Sequence, residues 1–265
     1  MVTPLLSATN IVTMDNISDL EIHLSYYTKD DLVLFDIDGV LIQTKEPAFQ
    51  LENMKEHKQI AKRIFKQLSK EQAYLFLNLM VISCDAILVE QQTPSVIHTL
   101  IDRQIPTMAL TAGATGKLAH IASMHEWKRD RLLQFGIDFT PSAPHKEKIT
   151  FTNLPQYRDS HTLFQDGILF VNGPQVSKGD ALIAFFKEVK FMPKKVVLID
   201  DRKKNLDSVA SILQAYYPEV EFLGLHYVGG QCNGTKRVDL NTFTQKWEKL
   251  AKQTISFEQS QNSPS

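Results

Sequence analysis

Along the chain, short solid apolar runs alternate with longer stretches in which apolar residues recur at helical spacing. Residues 32–35, 105–111, 167–171, 196–199 and 222–227 are apolar runs of strand length, as expected for strands covered on both faces of a parallel sheet. Between them the spacing predicts helices. A short one starts at Asn16 or Ser18 and runs toward Leu24. Another follows Thr93-Pro94, with Thr93 as cap and Val96, Ile97, Leu100 and Ile101 on one face. A third spans 113–135, a fourth opens around Ser177 to Asp180 and carries Leu182, Phe185, Phe186 and Val189, a fifth carries Leu206, Val209, Ala210 and Leu213, and a last one covers 243–250. Strands alternating with helices predict an α/β fold with a doubly wound parallel sheet. Residues 136–164 lack clear periodicity and read as irregular.

The stretch 46–92 interrupts this rhythm. Ile60, Ile64, Phe65 and Leu68 mark one face of a charged helix, and the next helix, 71–89, is apolar nearly all round, which predicts cover on several sides. We read 46–92 as a small helical insertion within a core spanning 1–255, and the polar residues 256–265 as a disordered tail.

Composition adds mainly exclusions. Twenty-nine basic residues balance 30 acidic ones, for a formal charge of −1, so no global field favours nucleic acid or an anionic membrane. Cys84 and Cys232 are the only cysteines, without metal-ligand spacing or a disulfide framework. No apolar run is long enough to span a membrane. The expected compartment is the cytoplasm by default, export through a non-hydrophobic signal being a separate route.

The candidate chemistry lies at strand ends. Asp36 and Asp38 follow the run 32–35, Thr111 ends 105–111, and Asp200 with Asp201 follow 196–199; Lys178 opens a helix between the last two. In open α/β sheets ligands bind beyond the carboxyl ends of the strands, so these groups converge if the strands are parallel. Four carboxylates in one crevice repel, by about 4 kcal/mol per pair near 4 Å at an effective dielectric near 20, which raises a pKa or recruits a cation. Hard oxygen donors suit Mg²⁺. A cation beside a hydroxyl and a lysine favours phosphate, with one carboxylate as nucleophile and the other moving a proton.

Other motifs carry less. GATGKL at 113–118 lacks the glycine spacing and trailing hydroxyl of a P-loop. The helix from His120 to Arg131 reads as core and surface, Arg202, Lys203 and Lys204 as a solvated face with phosphate contact by Arg202 a minor alternative, and Asn205 as a residue orienting its loop. His226 and Tyr227 read as packing for the last strand.

Taken together and in order, VLFDIDGV, ALT, SKG and VVLIDDRKKN resemble the four motifs of the haloacid dehalogenase (HAD) superfamily of phosphotransferases. FQDGILFVNGPQVSKGDAL also resembles a less characterised bacterial branch of HAD-like proteins. The resemblance implies a HAD-like Rossmannoid core with the helical insertion as cap over the site. It implies Asp36 as a nucleophile forming an aspartyl-phosphate, Asp38 as general acid and base, Thr111 as a ligand of phosphate oxygen, and Lys178 as the cation neutralising nucleophile and phosphoryl group. Mg²⁺ would be held by Asp36, the backbone carbonyl of Asp38 and Asp200, with Asp201 assisting. Val40 stands where many members have threonine. Dehalogenating members lack the second aspartate, so Asp38 favours phosphoryl transfer. The expected activity is Mg²⁺-dependent phosphomonoester hydrolysis on a phosphoprotein, such as one bearing phosphotyrosine, or on a small phosphorylated metabolite. The alternatives are a phosphate-binding or regulatory protein with little turnover and a transferase to an acceptor other than water.

Overall fold

A computed structural model describes residues 10–231 and 236–262; Cys232 and the last three residues of the expected tail lie outside them. In chain order the described strands are β1 (Asn10–Met14), β2 (Leu32–Phe35), β3 (Ile42–Thr44), β4 (Ala86–Leu88), β5 (Thr107–Thr111), β6 (Ile149–Phe151), β7 (Thr162–Gln165), β8 (Ile168–Phe170), β9 (Lys195–Asp200) and β10 (Glu221–Tyr227). The helices are α1 (Leu20–His23), α2 (Leu51–Glu56), α3 (Lys58–Gln67), α4 (Lys70–Ile82), α5 (Thr93–Asp102), α6 (Met124–Leu133), α7 (Lys178–Val189), α8 (Lys203–Tyr216) and α9 (Leu240–Asn262).

Eight strands form one sheet in the order β1-β10-β9-β2-β5-β8-β7-β6. The first six in that order are parallel, and β7 and β6 extend the sheet antiparallel. The two side-chain directions of each strand feed separate cores. Val33 and Phe35 of β2 pack with Leu20, Val96, Leu100 and Leu132 on one face, whereas Leu32 and Leu34 pack with Leu182, Phe185, Leu206 and Val209 on the other. Helices thus cover both faces, as the solid apolar runs predict.

Several local expectations are corrected. Residues 136–164 are not wholly irregular, since β6 and most of β7 lie there; three- and four-residue strands are too short to show a period. The helix expected over 113–135 is confined to α6. The loop before it is held by partners elsewhere: Ala114 N–H donates to Asn78 Oδ1 at 3.2 Å, Thr115 N–H donates to Asn172 Oδ1 at 3.1 Å, and the Thr115 hydroxyl donates to the His161 carbonyl at 2.9 Å. Thr93 does not cap α5; Gln92 takes the cap position, and Thr93 and Pro94 form the first turn. The charged helix expected in the first half of the 46–92 stretch is broken into a 3₁₀ turn, α2 and α3, and the next one ends at Ile82, leaving β4 to pair antiparallel with β3.

The largest correction concerns the C-terminal segment. Residues 256–262 continue α9, a helix of 23 residues, instead of forming a disordered tail. Its apolar face explains this. Phe243, Trp247 and Leu250 are buried against Ala48, Ala61, Ile64, Phe76 and Met80 of the inserted helical region, and Phe257 packs beside Leu75, Leu118 and Met124. The Trp247 ring stacks on Phe243 at 5.1 Å, and its indole N–H donates to the Ala48 carbonyl at 2.8 Å. The last helix therefore belongs with α2–α4, and the region above the sheet is built from two distant parts of the chain.

Candidate functional site

The register of the sheet brings the strand ends level. Phe35 lies opposite Ile199 on one side and Ala109 on the other, so the next residue of β2 emerges beside the ends of β9 and β5. Asp36 N–H donates to the Ile199 carbonyl at 2.8 Å, the last ladder bond before the chain turns. That turn needs Gly39, whose φ of +91° lies where L side chains are strained. A Cβ there would also stand 3.1 Å from the Asp201 carboxylate, so the missing side chain lets the turn after β2 lie against the loop after β9.

Lys178 ties the strand ends together. Its Nζ lies 2.9 Å from Asp36 Oδ1 and 2.6 Å from Asp200 Oδ2, and all three side chains are buried. A cation is unfavourable at a helix N-terminus, yet Lys178 opens α7; the two carboxylates and a capping box between Ser177 and Asp180 offset that cost. Asp200 is held further by Asn205 Nδ2, at 2.9 and 3.0 Å from its two oxygens, and by the Arg202 N–H at 2.8 Å. Asn205 thus orients a site carboxylate, a more definite role than the loop contact expected of it.

Asp201 completes an acidic group. One oxygen from each of Asp36, Asp200 and Asp201 lies within 4.8 Å of the others, and Asp201 Oδ1 is buried with no hydrogen-bond partner. Burial, opposed by Lys178 and reinforced by Asp200, raises the Asp36 carboxyl to about 6. Burial also raises Asp201, to about 8, with Arg202 opposing and the neighbouring acids adding to the shift. An orphaned acceptor and two carboxyls destabilised as anions suit an all-oxygen site for a hard cation.

Asp38 points elsewhere. Its side chain is 37% exposed, and Lys128 Nζ donates to both of its oxygens at 2.7 Å. The carboxylate of Asp38 is therefore not in the three-aspartate group. Lys128 itself is only 3% exposed, which corrects the reading of the segment from His120 to Arg131 as core and surface alone. Its sequence context, Lys-Arg-Asp-Arg, reads as a solvated charged face, so composition offered no signal for it.

Thr111 is buried, and its hydroxyl accepts the Gly113 N–H at 3.2 Å. It lines a cavity of about 140 Å³ together with Asp36, Asp38, Asn78 and Tyr74. Arg202, Lys203 and Lys204 are all exposed, as the solvated face expected of them requires, and Arg202 also lines the rim of the same cavity. Asn78 and Tyr74 come from α4, so the inserted helices reach the strand ends. His226 Nε2 lies 3.2 Å from the Asp201 carbonyl, an addition to its packing role. Tyr227 is fully buried and its hydroxyl donates to Glu90.

No helix among the described residues is long and apolar enough to cross a membrane. No solved structure matches the chain. Among its relatives are uncharacterized proteins of Rickettsia bellii, 28% identical over 77% of this chain and 70% of the relative, and Rickettsia typhi, 26% identical over 86% and 79%. A third, from Rickettsia felis, is 27% identical over 77% of this chain and 69% of its own length. The family model described as protein of unknown function (DUF2608) matches residues 13–261, and the chain belongs to that family.

Proposed function

We propose that this protein is a HAD-like, Mg²⁺-dependent phosphomonoester hydrolase that works through an aspartyl-phosphate on Asp36. The observation that carries the reading is the bridge from Lys178 to Asp36 and Asp200, with the unpartnered Asp201 oxygen beside it. A structural ion pair needs one acid; two carboxylates on one buried lysine, with a third beside them whose oxygen has no partner, leave oxygen donors that a cation would take up, and the cation would in turn attract a phosphoryl group. Asp36, Asp200 and Asp201 would hold the ion. When bound, Mg²⁺ supplies charge neutralisation for the phosphoryl oxygens.

The chain's own residues do the rest. A carboxylate oxygen of Asp36 bonds to phosphorus as the bond to the leaving oxygen breaks, and Asp38 gives that oxygen its proton. Water then attacks the phosphorus of the aspartyl-phosphate, returning a proton to Asp38 as the bond to Asp36 breaks and inorganic phosphate forms. Lys178 offsets the negative charge of nucleophile and phosphoryl group, Thr111 and Arg202 face the transferred oxygens, and Lys128 fixes the direction of Asp38. The alternatives of a binding protein with little turnover and a transferase to another acceptor share this site; the proton carrier Asp38 argues against the first, and release of free phosphate separates hydrolysis from the second.

Mass spectrometry of acid-quenched protein after mixing with an aryl phosphate and Mg²⁺ tests the reading. One added phosphoryl group on the peptide containing Asp36 is expected. Phosphate release with the label on another residue, or with no covalent species under single-turnover conditions, would overturn it.

A further inference from the structure

A second, larger cavity adjoins the strand-end site. Its volume is about 810 Å³, within the roughly 300–1,000 Å³ typical of small-molecule sites. Tyr74 and Asn78 line both this cavity and the smaller one that holds Asp36 and Thr111, so the two spaces meet at these residues, which also accept the Gly173 N–H at 2.9 Å and the Ala114 N–H at 3.2 Å. The walls come from three sources: α4, the core loops around 114–119 and 157–160, and the last turns of α9.

Resting on the hydrolase reading, we propose that this cavity receives the organic part of the substrate, and that this part is a small, uncharged, hydroxyl-rich group such as a sugar or polyol. Enclosure is the first argument. A phosphorylated protein side chain needs a path for the polypeptide on both sides of it, whereas α9 and α4 wall this space and are tied by Gln72 donating to Glu258 at 2.7 Å. Charge is the second. Glu71, Asp159 and Glu258 face Lys117 and Arg158 around the rim, a near balance rich in donors and acceptors that lacks the positive field a second phosphate needs. The third is the aromatic wall. Tyr74 and Tyr157 both line the cavity and meet edge to face at 5.0 Å, and the Arg158 guanidinium lies 5.8 Å from the Tyr157 ring, so aromatic and donor groups stand together where a sugar would present its C–H faces and hydroxyls. Asn172 lines the same wall, and its Nδ2 is buried without a protein partner.

The proposal makes the end of α9 a determinant of specificity. Binding to the Asp36→Asn protein, measured calorimetrically, separates it from turnover. The probes are inorganic phosphate, glucose 6-phosphate, fructose 1,6-bisphosphate and a phosphotyrosine peptide. Glucose 6-phosphate should bind at least tenfold more tightly than inorganic phosphate and more tightly than the other two esters. Glu258→Trp and Lys117→Trp, which fill the cavity from its rim, should each remove most of that advantage while inorganic phosphate binds as before. Equal binding of glucose 6-phosphate and inorganic phosphate, preference for the peptide or bisphosphate, or an advantage that survives both tryptophan variants would overturn the assignment. Failure of the wild-type protein to release phosphate from any ester would instead overturn the hydrolase reading, whatever the binding order.

Discussion

Lys128 Nζ donates to both carboxylate oxygens of Asp38 at 2.7 Å, from a side chain that is almost wholly buried toward one that is not. The asymmetry separates function from stability. Removing Lys128 leaves behind an acid that water can solvate, so the usual cost of about 3–5 kcal/mol for orphaning a buried charge does not apply. We expect Lys128→Met to keep its melting temperature within a few degrees while kcat falls by about tenfold or more, consistent with the roughly 10²–10⁴-fold worth of positioned acid–base groups. Lys128→Arg should recover part of the loss. Steady-state kinetics beside thermal melts check this; a fall in stability with unchanged kcat would make the lysine structural only.

Lys178 presents the opposite case. Its partners Asp36 and Asp200 are buried, so Lys178→Met strands two acids away from water. The expected loss is about 3–5 kcal/mol of unfolding free energy, read by urea denaturation in the presence of a chelator. Added Mg²⁺ should restore part of it, because a cation can take over the charge that the lysine supplied. No restoration would argue that the acids do not form a cation site.

The raised carboxyls set a pH dependence for the metal-free protein. Folded-state values of about 6 for Asp36 and about 8 for Asp201 lie above the ordinary aspartate value. The folded state therefore binds more protons than the unfolded chain, and stability is lost as pH rises from near 4 to near 8. Thermal melts in EDTA should shift downward over that window, and Mg²⁺ should raise the melting temperature more at pH 8 than at pH 5. A melting temperature that climbs with pH throughout the window in EDTA would contradict the shifts.

Gly39 offers a test of how closely the loops must approach. A Cβ at this position would be strained by its φ of +91° and would press on Leu51 at 3.0 Å and the Asp201 carboxylate at 3.1 Å. Gly39→Ala should weaken Mg²⁺ binding by at least tenfold, measured by calorimetry. Binding equal to wild type would show that Asp201 need not sit where it does.

Much of the site was legible in the sequence because each part follows a strand of conspicuous apolar character. Asp36, Thr111 and Asp200 each lie at or just after a buried run, and a parallel sheet aligns such ends without any contact being known. Asp38 is harder, since a strand's alternation would have sent it the same way as Asp36; the turn at Gly39 ends the strand at Phe35 and sends it toward Lys128 instead. Lys128, Asn78 and Tyr74 were not legible, because they enter from helices whose orientation depends on tertiary packing. The C-terminal boundary failed for a related reason. A polar last segment reads as disordered until Phe257 and Glu258 are seen to have partners on the inserted helices.

One missed feature was readable. Asp166-Gly167 is the dipeptide favoured in two-residue hairpins, and both residues have positive φ, +53° and +73°, between β7 and β8. The apolar run after it reads as a strand by itself, and the Asp-Gly turn marks an antiparallel partner before it even though the 136–164 stretch carries no longer period.

The most direct measurement is hydrolysis of an aryl phosphate by the wild-type protein and by Asp36→Asn, each with Mg²⁺ and with EDTA. The account predicts phosphate release by the wild type with Mg²⁺ alone, and none by Asp36→Asn although it folds with the same circular dichroism spectrum. Release by a folded Asp36→Asn protein at the wild-type rate, or by the wild type at an equal rate in EDTA, would contradict it.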